Sequence, residues 1–94
     1  MKEFRFDNNK NELLKAERDI SFEEILIAID NGKLIDILEH RNKKKYKNQK
    51  IFVVEVQKYA YLVPFVENDT EIFLKTIIPS RKATRIYLIN KKKS

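Results

Sequence analysis

The stretch ISFEEILIAIDNGKLIDILEH, residues 20–40, decides how the chain is read. Ser21 followed three residues later by Glu24 is a capping box, and Ile20 and Ile25 carry the spacing of a hydrophobic staple around it. A helix therefore begins at Phe22. It stops near Asn31-Gly32, because the only glycine of the chain supplies the left-handed residue that ends helices. Beyond Gly32 comes LIDILEH (34–40), rich in isoleucine and leucine, which reads as a strand, with a continuation of the helix as the alternative. A helix thus hands over to a β region within three residues.

Working outward, FRF (4–6) reads as a short strand closed by Asp7, and Asn9 with Glu12 predicts a first helix over about 10–18. IFVVEV (51–56) and YAYLVPFV (59–66) are β-branched and aromatic and are separated only by Gln57-Lys58, the pattern of a hairpin. EIFLKTII (71–78) makes the next strand. Pro64 lacks a ladder donor, so its strand is expected to be bulged or at a sheet edge. Ser80 is placed to cap a last helix over 81–89, with Ala83, Ile86, Tyr87 and Ile89 on its apolar face and Arg81, Lys82 and Arg85 on the other. The order β-α-α-β-β-β-β-α implies a single α+β domain over 1–94: an antiparallel sheet of four to five strands, two N-terminal helices and one C-terminal helix. Residues 91–94 read as a frayed basic tail.

Charge is unevenly spread. Of 20 Lys and Arg residues, 12 fall in two segments without a single acid, RNKKKYKNQK (41–50) and RKATRIYLINKKKS (81–94), leaving 8 against all 14 acids elsewhere. Such clustering is the electrostatic footprint of a polyanion binder, although short lysine runs also serve as solvated loops and tails. With no cysteine, disulfides, thiol nucleophiles and thiolate metal sites are excluded, and with one histidine a histidine-based metal site is not expected. Neither a metal nor a cofactor is expected. No apolar run reaches the roughly 20 residues of a membrane span. The start MKEFRFD is no signal peptide, so a soluble cytoplasmic domain is expected.

Several residues suit metal-free RNA cleavage, which needs a base, an acid and cations around one phosphate. His40 is the only side chain of a type whose unperturbed pKa lies near neutrality, and it is expected at a strand end beside the lysine run; a surface histidine would look the same. Lys75 is the one cation inside strand 71–78, either clamping a phosphate with Arg81 or pointing outward from a half-exposed sheet. Tyr46, flanked by Arg41, Lys43, Lys44, Lys45 and Lys47, suits stacking on an unpaired base, or equally the anchoring of a basic loop. Arg81, Lys82 and Arg85 cluster at a helix start whose free amides also favour anions. Asp36 and Glu39 leave two-carboxylate chemistry open.

The succession FRFD, a polar helix, ISFEE (20–24), a strand ending EHR, paired strands, and then IIPSRKAT (77–84) with a following tyrosine resembles the BrnT-type ribonuclease toxins. These belong to the RelE/ParE-like group of type II toxin–antitoxin modules. The resemblance runs over roughly 4–87. Many members carry Lys-His-Gly just before the ISFEE-like helix, where this chain has Glu17-Arg18-Asp19. The resemblance implies a RelE/BrnT-like fold and a metal-independent endoribonuclease that inhibits translation. It also implies a cognate antitoxin with a ribbon-helix-helix DNA-binding domain, and contact with operator DNA only through the antitoxin complex. Two alternatives stand beside it: a non-catalytic module of this fold that binds RNA or protein, and a ParE-like toxin aimed at gyrase.

Overall fold

Asp7, not Asn9, starts the first helix. In the computed structural model, which describes residues 2–39, 42, 44–45 and 49–89, the Asp7 carboxylate accepts from the Asn9 amide at 2.8 Å and the Lys10 amide at 3.4 Å. A charged acceptor on extended backbone outcompetes the asparagine two residues on. Helix α1 (Asn8–Arg18) follows strand β1 (Glu3–Phe6) and leads into α2 (Phe22–Asp30). The start and end of α2 are as the sequence predicts. The Ser21 hydroxyl accepts from the Glu24 amide, Ile20 and Ile25 are buried together, and Gly32 takes φ +80° while Lys33 N–H donates back to Ala28 at 2.9 Å. Buried Asn11 joins the two helices. Its side chain donates to Glu23 and accepts from the Phe22 amide, both at 2.8 Å.

Strands β2 (Leu34–Glu39), β3 (Gln49–Val56), β4 (Tyr59–Glu67), β5 (Glu71–Leu74) and β6 (Ile78–Pro79) follow, then one short turn of helix, α3 (Arg81–Ala83), which continues as a π-helix over Thr84–Ile89. The sheet order is β1-β5-β4-β3-β2, with β6 beside β4. The hairpin turn is Gln57-Lys58 as expected, and both residues have positive φ, which matches the right-handed twist of the strands.

Three sequence expectations need correction. The sheet is mixed, since β1 pairs with β5 in parallel, Glu3 opposite Glu71 through Phe6 opposite Leu74. A four-residue strand carries no sign of its direction. The strand expected over 71–78 is two strands. Its first part lies against Phe65–Glu67 and its second against Tyr61 and Leu62. Pro64 explains the break: β4 is central rather than an edge, and the missing Pro64 donor faces the gap between β5 and β6, where its carbonyl still accepts from Lys75 N–H at 2.8 Å. Finally, the C-terminal helix does not show its expected apolar face. Ala83, Tyr87 and Leu88 pack on the sheet, while Ile86 and Ile89 are about half exposed. The wider i→i+5 winding of the π-helix changes which residues share a face.

The core has two layers of side chains, one on each side of the sheet. Leu14, Ile20, Phe22, Ile25 and Ala28 of the N-terminal helices and their junction cover Phe52, Val54, Val63, Phe65 and Leu74. On the opposite side Val53 and Ala60 meet Ala83, with Ile35, Leu38, Leu62, Tyr87 and Leu88 around them. No helix among the described residues is long and apolar enough to cross a membrane.

Candidate nucleic-acid groove

The segment carrying Arg81 and Lys82 is fastened to the sheet at one point, Ala60. Ser80 N–H donates to the Ala60 carbonyl at 3.0 Å, and the Ala60 N–H donates to the Thr84 hydroxyl at 2.9 Å. That hydroxyl donates in turn to the Ser80 carbonyl at 2.8 Å. The Ser80 hydroxyl caps the turn by accepting from Ala83 N–H at 3.0 Å. Two cations at the start of α3 are thereby held at a fixed place over β4.

A second tie fixes the other end. Tyr87 donates its hydroxyl proton to one carboxylate oxygen of Asp36 at 2.8 Å, while the other oxygen accepts from the Ile37 amide at 2.8 Å. A β-bulge between Leu34 and Asp36 makes this possible. In a regular strand Asp36 would share a face with Leu34, which packs toward α2; the extra residue turns Asp36 to the side of the C-terminal segment. The hydrogen bond to Asp36, then burial and the Asp36 charge, raise the Tyr87 pKa above the ordinary phenol value. Tyr87 is a protonated donor at neutral pH. Asp36 is committed to it, which leaves two-carboxylate chemistry with Glu39 without its first member.

Between these two ties lies a groove of about 400 Å³. Leu38, Ile51 and Leu62 form its floor, Ala83, Ile86 and Tyr87 its wall, and Glu39, Ser80 and Lys82 its polar rim. The floor belongs to a row that crosses the sheet: Leu38 opposite Ile51, Ile51 opposite Pro64, and Pro64 beside Lys75. Leu74 is buried against the N-terminal helices, so strand alternation puts exposed Lys75 on the groove side. About three strand spacings, roughly 14 Å, separate the two ends of the row.

Of the residues the sequence singles out, Lys82 lines the groove, Arg81 adjoins it, and Lys75 lies on its side of the sheet. Arg85 is exposed on the π-helical stretch. Lys44 and Lys45 occupy an exposed turn in which the Lys45 amide donates to the Asn42 side chain at 3.1 Å. His40, Arg41, Lys43, Tyr46 and Lys47 lie outside the described residues. Lys50 belongs to the other face, opposite Phe65, where it meets Glu67 at 3.5 Å. Glu67 is shared with Lys2, whose hydrogen bond first of all holds the Glu67 carboxyl below its ordinary value. The apolar floor and the Asp36–Tyr87 tie escape sequence reading. Asp36, one acid within LIDIL, was their only sign.

Comparison with protein-family models, with curated proteins and with solved structures gave no match.

Proposed function

We propose that this chain is the ribonuclease of a toxin–antitoxin module of the BrnT type, cutting RNA in the cytoplasm without a metal ion and so inhibiting translation. The observation that supports this reading is a groove whose wall, with Lys82 on its rim, comes from the second acid-free segment and whose floor includes Leu38 and Ile51, on either side of the first in the chain. Leu38, Glu39 and Ile51 flank the first segment in sequence, and Lys82, Ala83, Ile86 and Tyr87 belong to the second, yet these seven residues meet with Leu62 around one apolar space. Lys82, Arg81 and Lys75 supply positive charge on that side of the sheet for a phosphodiester backbone.

In this reading a base takes the proton from a ribose 2′-hydroxyl, the oxygen attacks the adjacent phosphorus, and an acid protonates the departing 5′-oxygen. His40, which follows rim residue Glu39 in the chain, is the candidate for proton transfer. Lys75 and Arg81 are the candidates for stabilising the charge that builds on the phosphate. The partner is an antitoxin that supplies carboxylates to the basic surface, covers the groove, and carries the DNA-binding part of the complex.

The test is incubation of purified protein with naked single-stranded RNA in the presence of EDTA, alongside induced expression in cells with and without the neighbouring gene product. Cleavage in EDTA, growth arrest, and rescue by the neighbour are expected. Intact RNA with DNA damage and filamentation would point instead to gyrase, and intact RNA with unimpaired growth would refute the toxin reading.

A further inference from the structure

The C-terminal segment covers only part of its side of the sheet. Its packing partners, Ile35, Leu38, Val53, Ala60 and Leu62, all lie on β2, β3 and β4. Among the described residues, none of this segment packs on the strip formed by β5 and β1. On it stands Phe73, 38% exposed, although its neighbours Ile72 and Leu74 both pack toward the N-terminal helices. Arg5 is directly opposite Phe73 on β1, and Lys75 is two residues along on the same side. The strip therefore presents one exposed aromatic ring near two cations, and it is linked through Lys75 and Pro64 to the row of the groove floor.

We propose that Phe73 is a stacking platform for an unpaired base of single-stranded RNA, with Lys75 and Arg5 on the flanking phosphates. This rests on the RNA reading above and assigns a second contact outside the groove. Aromatic rings on exposed sheet faces hold bases of any sequence through their π-faces, while nearby cations follow the backbone. A duplex keeps its bases stacked on one another and has none to offer, so the strip favours single strands. Polarity along the strip is uneven. Arg5 pairs with Glu71 at 3.5 Å, and Glu3 stands opposite Glu71, so the acidic end lies away from Lys75. Both members of the Arg5–Glu71 pair are well exposed, so the guanidinium can be shared with a phosphate at little cost. The backbone path runs from Phe73 past Lys75 toward Lys82.

The chain has no tryptophan, so Phe73→Trp introduces a single fluorescent reporter at the platform. Binding is measured by anisotropy with a 2′-O-methyl oligonucleotide, which cannot supply the attacking hydroxyl, with its abasic counterpart of equal charge, and with the matching duplex. Phe73→Ala is expected to weaken binding of the single strand by roughly 5- to 150-fold, the span corresponding to one base–aromatic stack. It should leave abasic binding unchanged. Phe73→Trp should retain affinity, and its emission should be quenched by the single strand and not by the abasic strand. Wild-type affinity in the alanine variant together with unquenched tryptophan emission would overturn the platform while leaving the groove reading intact. Failure of the wild-type protein to bind any of the three would overturn both.

Discussion

Replacing Thr84 by valine should show how far the position of Arg81 and Lys82 depends on one hydroxyl. Thr84 is 7% exposed and Ala60 is fully buried, so no water can take the place of the hydroxyl oxygen that accepts from the Ala60 amide. Valine fills the same volume but leaves that N–H without a partner, at a cost of about 1–3 kcal/mol. For a domain of this size each kcal/mol is worth about 4–8 °C in melting temperature, so a loss near 2 kcal/mol lowers Tm by roughly 8–16 °C. Thr84→Ser keeps the oxygen and gives up one methyl group, which should cost about 1 kcal/mol or less. Thermal denaturation followed by circular dichroism ranks the three proteins, and amide hydrogen exchange at Ala60 and Ala83 locates the change. A valine variant within about 0.5 kcal/mol of wild type, or a serine variant less stable than the valine one, would refute the role given to this hydrogen bond.

Other consequences can be checked independently. Converting Arg81 and Lys82 to glutamine should weaken single-stranded RNA binding and flatten its log–log salt dependence by about 0.7 for each phosphate contact removed, as read from anisotropy titrations; an unchanged slope would remove both from the backbone path. His40→Ala should lower the cleavage rate by about 10²–10⁴ with RNA affinity and Tm near wild type, and wild-type cleavage by the folded variant would exclude His40 from proton transfer. The Tyr87 pKa is raised in the folded state, so the stability from its bond to Asp36 is complete below the unfolded tyrosine value of about 10 and lost as pH rises through the higher folded value. Asp36→Asn should shift a tyrosinate absorbance transition to lower pH, and an unmoved transition would contradict the tie.

Local signals in this chain are strong where one residue decides one bond. Ser21, Gly32, Ser80 and the pair Gln57-Lys58 each dictate the conformation of their own few residues, and each cap or turn forms as the sequence predicts. Features that depend on two distant segments are less legible. The parallel pairing of β1 depends on where β5 presents its free edge, and nothing in EFRF encodes that. Pro64 marked a disturbed ladder correctly, but whether the disturbance lay in its own strand or in the neighbouring one was settled only by Lys75 and the gap beyond it. The apolar spacing of Ala83, Ile86, Tyr87 and Ile89 fits an α-helix, and the tie from Tyr87 to a bulged Asp36 goes with a different winding. At the candidate site the charges of Arg81 and Lys82 were visible in the second acid-free run. The apolar floor was not, because Leu38, Ile51 and Leu62 look like ordinary strand residues until the register lines them up.

The parallel placement of β1 also bears on the order in which this fold can form during synthesis. Glu3 waits for Glu71, Arg18 waits for the Ile77 carbonyl, and the groove wall consists of residues 83–87. A growing chain emerges N-terminal end first, so α1 meets α2 at once through Asn11, whereas β1 is made earlier and finds its strand partner late. Pairings this distant in sequence are slow to close, since the loop entropy must be met before any contact forms. Until residues 71–74 have been made there is no strand edge for β1 to join, and until residues 83–87 follow there is no wall to the groove. The groove is thus a late feature of assembly: its floor residues Leu38, Ile51 and Leu62 stay open to solvent until the segment that covers them has been added.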